Sequence, residues 1–348
     1  MSTRSPRVLL AVSLVSATVV VLTGQQPPPP KPAPASHPIG GTPTGPPIVT
    51  SFDAAMITTP PESLNLDPLY KKYTDAFGIP VVSSEKVADA ALLMARDIVN
   101  YMLLKRPDVR DVMVSKKSRV LIMAITEGET DLPERRDWKK PTITDQRLTP
   151  GERARYNEPG GIASMTDQQY WNNRARGMGG NITSAAEENL LGIPGTRYYG
   201  EHILVHEFSH NIMSALRTVD PGLVRDVEAA YADAKAKNLY EGQYAINTVA
   251  EYWAEGTQWW FWSNIEFYDK TTKARVQTPD EFKSYDPALY AIFERVYAGH
   301  HIPGDIYYSR NLKPVRPPSF LKSEREHGLR LVLLAGAEHR RGEVRMIR

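Results

Sequence analysis

The chain has 348 residues, 41% of them hydrophobic, with 42 basic against 40 acidic side chains and a formal charge of +2. That is enough apolar material for a sizeable core, so disorder is not the default reading, and the charge is too balanced to read a nucleic-acid binder from composition. Cysteine is absent, which excludes disulfides, cysteine nucleophiles and cysteine-ligated metals, although a core of this size needs no covalent staples in an oxidising compartment.

Arg4 and Arg7 precede an apolar run at 8–22, shorter than a comfortable membrane span and typical of a signal-peptide core. Residues 1–24 are therefore expected to direct export or to remain as an anchor, giving a secreted or cell-surface protein. Residues 25–50, opening QQPPPPKPAP, favour extended, hydrated backbone and read as a spacer. Folded sequence should begin between Ser51 and Asp67. After Ser84, the residues Val87, Ala91, Met94, Ile98 and Met102 recur at helical spacing and predict a core helix ending near Pro107. The run SRVLIMAI, 118–125, predicts an interior strand. Between Thr126 and Asn181, Gly, Pro, Asp and Arg accumulate without a sustained period, so loops should dominate. Within them, 170–183 could line a cleft with Arg174 and Arg176, against the plainer reading of solvated arginines beside packed aromatics.

The stretch GEHILVHEFSHNIM, 200–213, spaces His202, His206 and His210 four residues apart. Ile203, Leu204, Val205, Phe208, Ile212, Met213 and Leu216 supply an apolar face, and Asp220-Pro221-Gly222 ends the segment, so it predicts a helix. His206-Glu207-Phe208-Ser209-His210 is an HExxH pattern. Spacing of i and i+4 brings two imidazoles onto one face, where they converge on a single zinc, and Glu207 lies beside a water bound there. His202 shares the spacing but is followed by no glutamate, and reads as a surface residue or one that supports a ligand.

A catalytic zinc takes three protein ligands and keeps one position open. A third histidine shortly after the motif is excluded, because Met213 and Leu216 stand where the HExxHxxGxxH pattern needs glycine and histidine. The alternative is a carboxylate from a second helix. The latter half of 239–262 is helical and carries Glu251 and Glu255 one turn apart among Tyr252, Trp253, Trp259, Trp260 and Trp262. An unpaired carboxylate is costly in such company, so one of the two is expected to enter the ligand set and the other to orient a ligating histidine. Residues 221–238 predict a helix with a solvated charged face. The domain closes after His300, and 313–348 form a basic tail, read most economically as a terminal helix or poorly ordered end, with contact to an anionic surface such as a cell envelope or lipid headgroups as the alternative.

The HExxH pattern, taken with Tyr244-x6-Glu251-Tyr252-Trp253-Ala254-Glu255, resembles the glutamate-zincin (gluzincin) metallopeptidases, specifically the catalytic domain of the anthrax lethal factor family. The resemblance covers about 199–262, with Ala250 where the family often has asparagine. It implies zinc on His206, His210 and Glu251, support of His206 by Glu255, and transition-state stabilisation by Tyr244. Glu207 would be the base for hydrolysis of a peptide or protein substrate. The fold implied is α+β: a zincin-like, two-lobed domain over 51–312, with the HExxH helix under the cleft and a mainly helical C-terminal lobe bringing Glu251. A zinc-dependent amidase acting on a cell-envelope substrate, and a non-catalytic surface-binding protein on the same scaffold, are the alternatives. No nucleic-acid partner is expected.

Overall fold

The computed structural model describes residues 57–146, 148, 150–298 and 302. The expected export segment (1–24), spacer (25–50) and basic tail (313–348) lie outside the described residues.

Lys72–Ala76 (β1) and Ile79–Ser83 (β2) form an antiparallel hairpin. Its two-residue turn puts Phe77 and Gly78 at φ of 50° and 87°, the left-handed conformation that matches the twist of paired strands. Asp75 closes the turn by accepting the Gly78 N–H at 3.0 Å. The predicted core helix is α1, Asp89–Leu103, buried on almost every side after its first turn. Pro107 does not end this helix but opens the next one, α2, Pro107–Ser115. Proline at the first helical position sacrifices an N–H that has no partner there in any case.

The interior strand predicted at 118–125 is β3, Arg119–Met123. Val120 and Ile122 face the main core with α1, while Leu121 and Met123 join Tyr70, Val82, Leu132 and Ala186 on the opposite face. Burial on both faces explains the unbroken apolar run. The segment from Thr126 to Asn181 is more structured than expected, with α3 (Pro150–Ala154), α4 (Asp167–Arg174) and β4 (Gly177–Met178). Thr166 and Gln169 cap α4 reciprocally, and Leu148, Ile162, Tyr170 and Trp171 make a satellite apolar cluster. These are local devices with no long period, and a search for periodicity passes over them.

Ile182–Ala186 (β5) completes a five-stranded sheet of order β1-β2-β3-β5-β4. Strands β2, β3 and β5 run parallel, and the two outer strands run antiparallel to their neighbours. A short helix, α5 (Glu187–Leu190), leads to α6 (Ile203–Val219), which packs against β4, β5, α1 and α2. Helix α7, Pro221–Ala236, follows after the Asp220 cap, and then α8, Val249–Trp260. The two-stranded β6 (Phe267–Tyr268) and β7 (Arg275–Val276) precede α9 (Pro279–Tyr285) and α10 (Pro287–Val296). The result is a mixed α+β fold. Helix α10 approaches α8 closely at Gly256, where an added Cβ would lie 2.5 Å from Leu289 Cδ2. The aromatic group around Trp259 is core, as the rings of Tyr240, Phe267 and Phe282 stand within 5.5, 6.3 and 6.2 Å of it.

Candidate metal centre

HExxH lies within α6, and the i, i+4 geometry brings the His206 and His210 rings together with centroids 5.0 Å apart. Glu251 comes from the first turn of α8, where Thr248 caps the helix by accepting the Glu251 N–H at 3.1 Å. A carboxylate at this end of a helix is favoured by the backbone dipole. The two helices are locked together by the Trp253 indole, which donates to the Ser209 carbonyl at 2.9 Å. Glu251 Oε2 thereby stands 3.1 Å from His206 Nε2 and 3.8 Å from His210 Nε2. One donor atom from each of the three side chains falls within 4.8 Å of the others. Two imidazole nitrogens and one carboxylate oxygen at these separations fit the three-residue donor set of a catalytic zinc.

The orientation of His206 follows from one glutamine. Gln258 Nε2 donates to the carbonyl of His202 at 3.0 Å, an atom that can only accept. This fixes the amide so that its Oε1 lies 3.1 Å from His206 Nδ1, and Nδ1 must carry the proton. The Nε2 atom is left for a metal. Glu255 lies behind the same ring with Oε1 at 3.5 Å from Nδ1, while its Oε2 accepts from Asn264 at 2.8 Å. Sequence reasoning missed Gln258. It follows Glu251 at i+7 and Glu255 at i+3, on the same helical face, and that spacing is the available signal. His202 is not a surface residue: it is fully buried at the start of α6, and its carbonyl is the anchor for Gln258.

The electrostatics are those of a site arranged to hold a cation. Burial alone would depress the His206 ring, but the hydrogen bond to Glu251 and the charges of Glu207, Glu255 and Glu251 push it up to about 10. His210 is driven down to about 4 by burial and by the neighbouring His206 charge, so its lone pair is free near neutrality. Burial raises Glu251, yet bonding to His206 and the charges of the His206 and His210 rings win and hold it below its ordinary value. Burial lifts Glu207 to about 7, with Glu251 and Glu129 adding to the rise and His206 opposing it. A carboxylate near 7 is matched to taking and returning a proton at neutral pH. Glu255 is also raised, first by burial.

Tyr244 sits in the short turn Tyr244–Ile246 just before α8, more than half exposed, with its ring centroid 6.4 Å from that of His206. Its phenol is raised by desolvation and by Glu251 and Glu207, and lowered by Arg174. Arg174 pairs with Glu152 and lies 5.6 Å over the Tyr170 ring. Arg176 is not a solvated arginine; it is largely buried and grips Glu188 with two bonds, of 2.6 and 3.0 Å. On the sheet side, Gly179 follows β4 directly. A Cβ there would meet Glu207 Oε2 at 3.0 Å and His210 Cδ2 at 2.8 Å. The end of an outer strand thus lies close to both Glu207 and His210.

No family model matches the chain, and no curated protein matches it. Among solved structures it is similar to the Pro-Pro endopeptidase PPEP-2 from Paenibacillus alvei, at 14% identity over 62% of this chain and 97% of that one, with a TM-score of 0.40.

Proposed function

We propose that the chain is a zinc-dependent endopeptidase of the gluzincin type, working outside the cytoplasm on peptide or protein substrates. The observation that carries this reading is the convergence of His206, His210 and Glu251, with Glu207 beside them on the same helix. Bound zinc would supply Lewis acidity, lowering the pKa of a coordinated water and polarising a scissile carbonyl. Glu207, beside the ligands on the same helix, would take the proton of the attacking water and return it to the departing amine. The Tyr244 phenol, kept protonated far above neutrality, donates a hydrogen bond where negative charge develops on the carbonyl oxygen. Glu255 and Gln258 orient His206 from behind.

Strand β4 favours an extended peptide over a compact amide. It is the outermost strand of the sheet, and its end passes within contact distance of Glu207. A substrate strand laid along that edge has its backbone carbonyls carried past the base in fixed register.

The test is cleavage of a diverse peptide library by the zinc-loaded chain, with Glu207→Gln as the control. Zinc content should stay at about one per chain while hydrolysis falls by several powers of ten. Wild-type rates in Glu207→Gln would place the activity elsewhere. Binding without cleavage by the intact chain would favour a surface-binding protein.

A further inference from the structure

Successive residues of β4 point to opposite sides. Cβ positions at Gly177 and Gly179 are directed at α6, where they would meet Ile203 Cγ2 at 2.4 Å and His210 Cδ2 at 2.8 Å, respectively. Met178 packs instead with the satellite cluster of Leu148, Ile162, Tyr170 and Trp171. On that second side lies an arrangement that touches neither the metal ligands nor the base, although the charges of Glu129 and Arg135 act on Glu207 with opposite sign. Ser184, the register partner of Met178, is fully buried. Its hydroxyl donates to Glu129 at 2.9 Å and accepts from the Met178 N–H at 3.0 Å and from Arg135. One proton and two lone pairs are all engaged. Arg135 is fixed in turn by the Ile182 carbonyl at 2.9 Å and by the Trp138 ring at 4.9 Å.

Glu129 and Arg135 are almost completely buried. Taking such a pair out of water costs several kcal/mol, and an apolar replacement is often as stable, so stability alone gives little account of it. What the pair does uniquely is hold a hydroxyl in one orientation against a backbone N–H of the outer strand.

We infer that Ser184, backed by Glu129 and Arg135, is a positioning residue that sets the height of β4 over Glu207 and His210. The inference rests on the peptidase reading for its kinetic consequence. The hydroxyl holds the Met178 amide, the amide holds the Gly177–Gly179 backbone against α6, and that backbone fixes where an extended substrate's carbonyl falls. A displacement of the order of 1 Å at a reacting atom costs about a hundredfold in rate.

Ser184→Ala and Ser184→Thr in the full zinc-loaded chain separate this role from a merely structural one. The alanine variant should keep one zinc per chain and a KM within about threefold of wild type, while kcat falls about 10- to 100-fold. Threonine, which restores the hydroxyl, should recover kcat to within about threefold. Amide hydrogen exchange gives a readout independent of activity: the Met178 amide should exchange at least about tenfold faster in Ser184→Ala, with α6 unchanged. Arg135→Lys, which keeps the charge but cannot fork to both Ser184 and Ile182, should shift kcat and Met178 exchange in the same direction and replaces the alanine variant if that fails to fold. Unchanged kcat and Met178 exchange in a folded Ser184→Ala would overturn the inference, as would a lowered melting temperature with unchanged kcat. Exchange that responds to Ser184 in a chain that cuts no peptide would refute the peptidase reading and retain the clamp.

Discussion

His206 is oriented by Gln258: the amide oxygen lies 3.1 Å from Nδ1, nearer than the Glu255 carboxylate at 3.5 Å. An amide in this role fixes the ring without adding charge to the centre, and it carries the constraint on to the His202 carbonyl.

Replacing Gln258 by leucine should therefore weaken zinc binding by about 10- to 100-fold, the usual penalty for losing a group that orients a ligating histidine. Glu255→Gln should cost less. Competition with a chromophoric chelator measures both, and a larger loss in Glu255→Gln would make the carboxylate the main support.

Gly179 and Gly180 should respond differently to alanine. At Gly179 the new Cβ would press on His210 and Glu207, so zinc affinity or kcat should fall by about tenfold or more. At Gly180 the space is open but φ is +114°, and the cost should appear as about 1 kcal/mol or more of stability with the zinc site intact. Equal effects of the two on zinc affinity would contradict the close approach.

The pH dependence has a definite sign. His206 is raised from 6.5 to about 10 in the metal-free fold, so its contact with Glu251 stabilises that form fully below about 6.5 and is lost as pH rises through about 10. Zinc competes for the same Nε2 position as the proton, so its affinity should increase over that range. The difference in melting temperature between zinc-loaded and chelator-treated chain should widen from about pH 6 to about pH 9. A constant difference would mean that His206 does not exchange a proton for the metal.

Tyr244→Phe should leave zinc content and melting temperature nearly unchanged, since the ring is largely exposed. Its effect should fall on kcat, by about 10- to 1000-fold, with KM little altered. An effect confined to KM would make Tyr244 a substrate contact without a share in the chemical step.

The export reading of residues 1–24 is tested by deleting residues 2–24. The shortened chain should remain in the cytoplasm with the fold and melting temperature of the intact domain. Equal export of both forms would contradict it.

The sequence was most legible where function imposes a rigid spacing. HExxH fixes its own geometry through the pitch of one helix, and Glu251 and Glu255 stand out together as carboxylates among tryptophans, with only the family resemblance choosing between them. The hairpin β1–β2 was missed because its strands are short and its turn, Phe77-Gly78, lacks the commoner Asn-Gly or Asp-Gly pair. Helices α9 and α10 carry only local signals, the caps Thr278 and Asp286 and a proline that opens each, and they are too short to display a sustained apolar period. Arg135, Arg176 and Ser184 could not have been assigned at all. Their roles come from Glu129, Glu188 and Met178, and only the folded sheet brings these partners together.

The two margins of the sheet are finished in different ways. Along β1, Thr58 exchanges two backbone hydrogen bonds with Tyr73, of 3.0 and 2.8 Å, and so blocks that margin. Strand β4 has no such cover among the described residues, but it spans only Gly177–Met178. A longer bare edge would template pairing with other copies of the chain and invite fibrous aggregation. Two residues give too short a ladder to hold a second copy, and under the peptidase reading a substrate strand aligned there would draw its remaining affinity from elsewhere. The brevity of β4 thus limits what this margin can template.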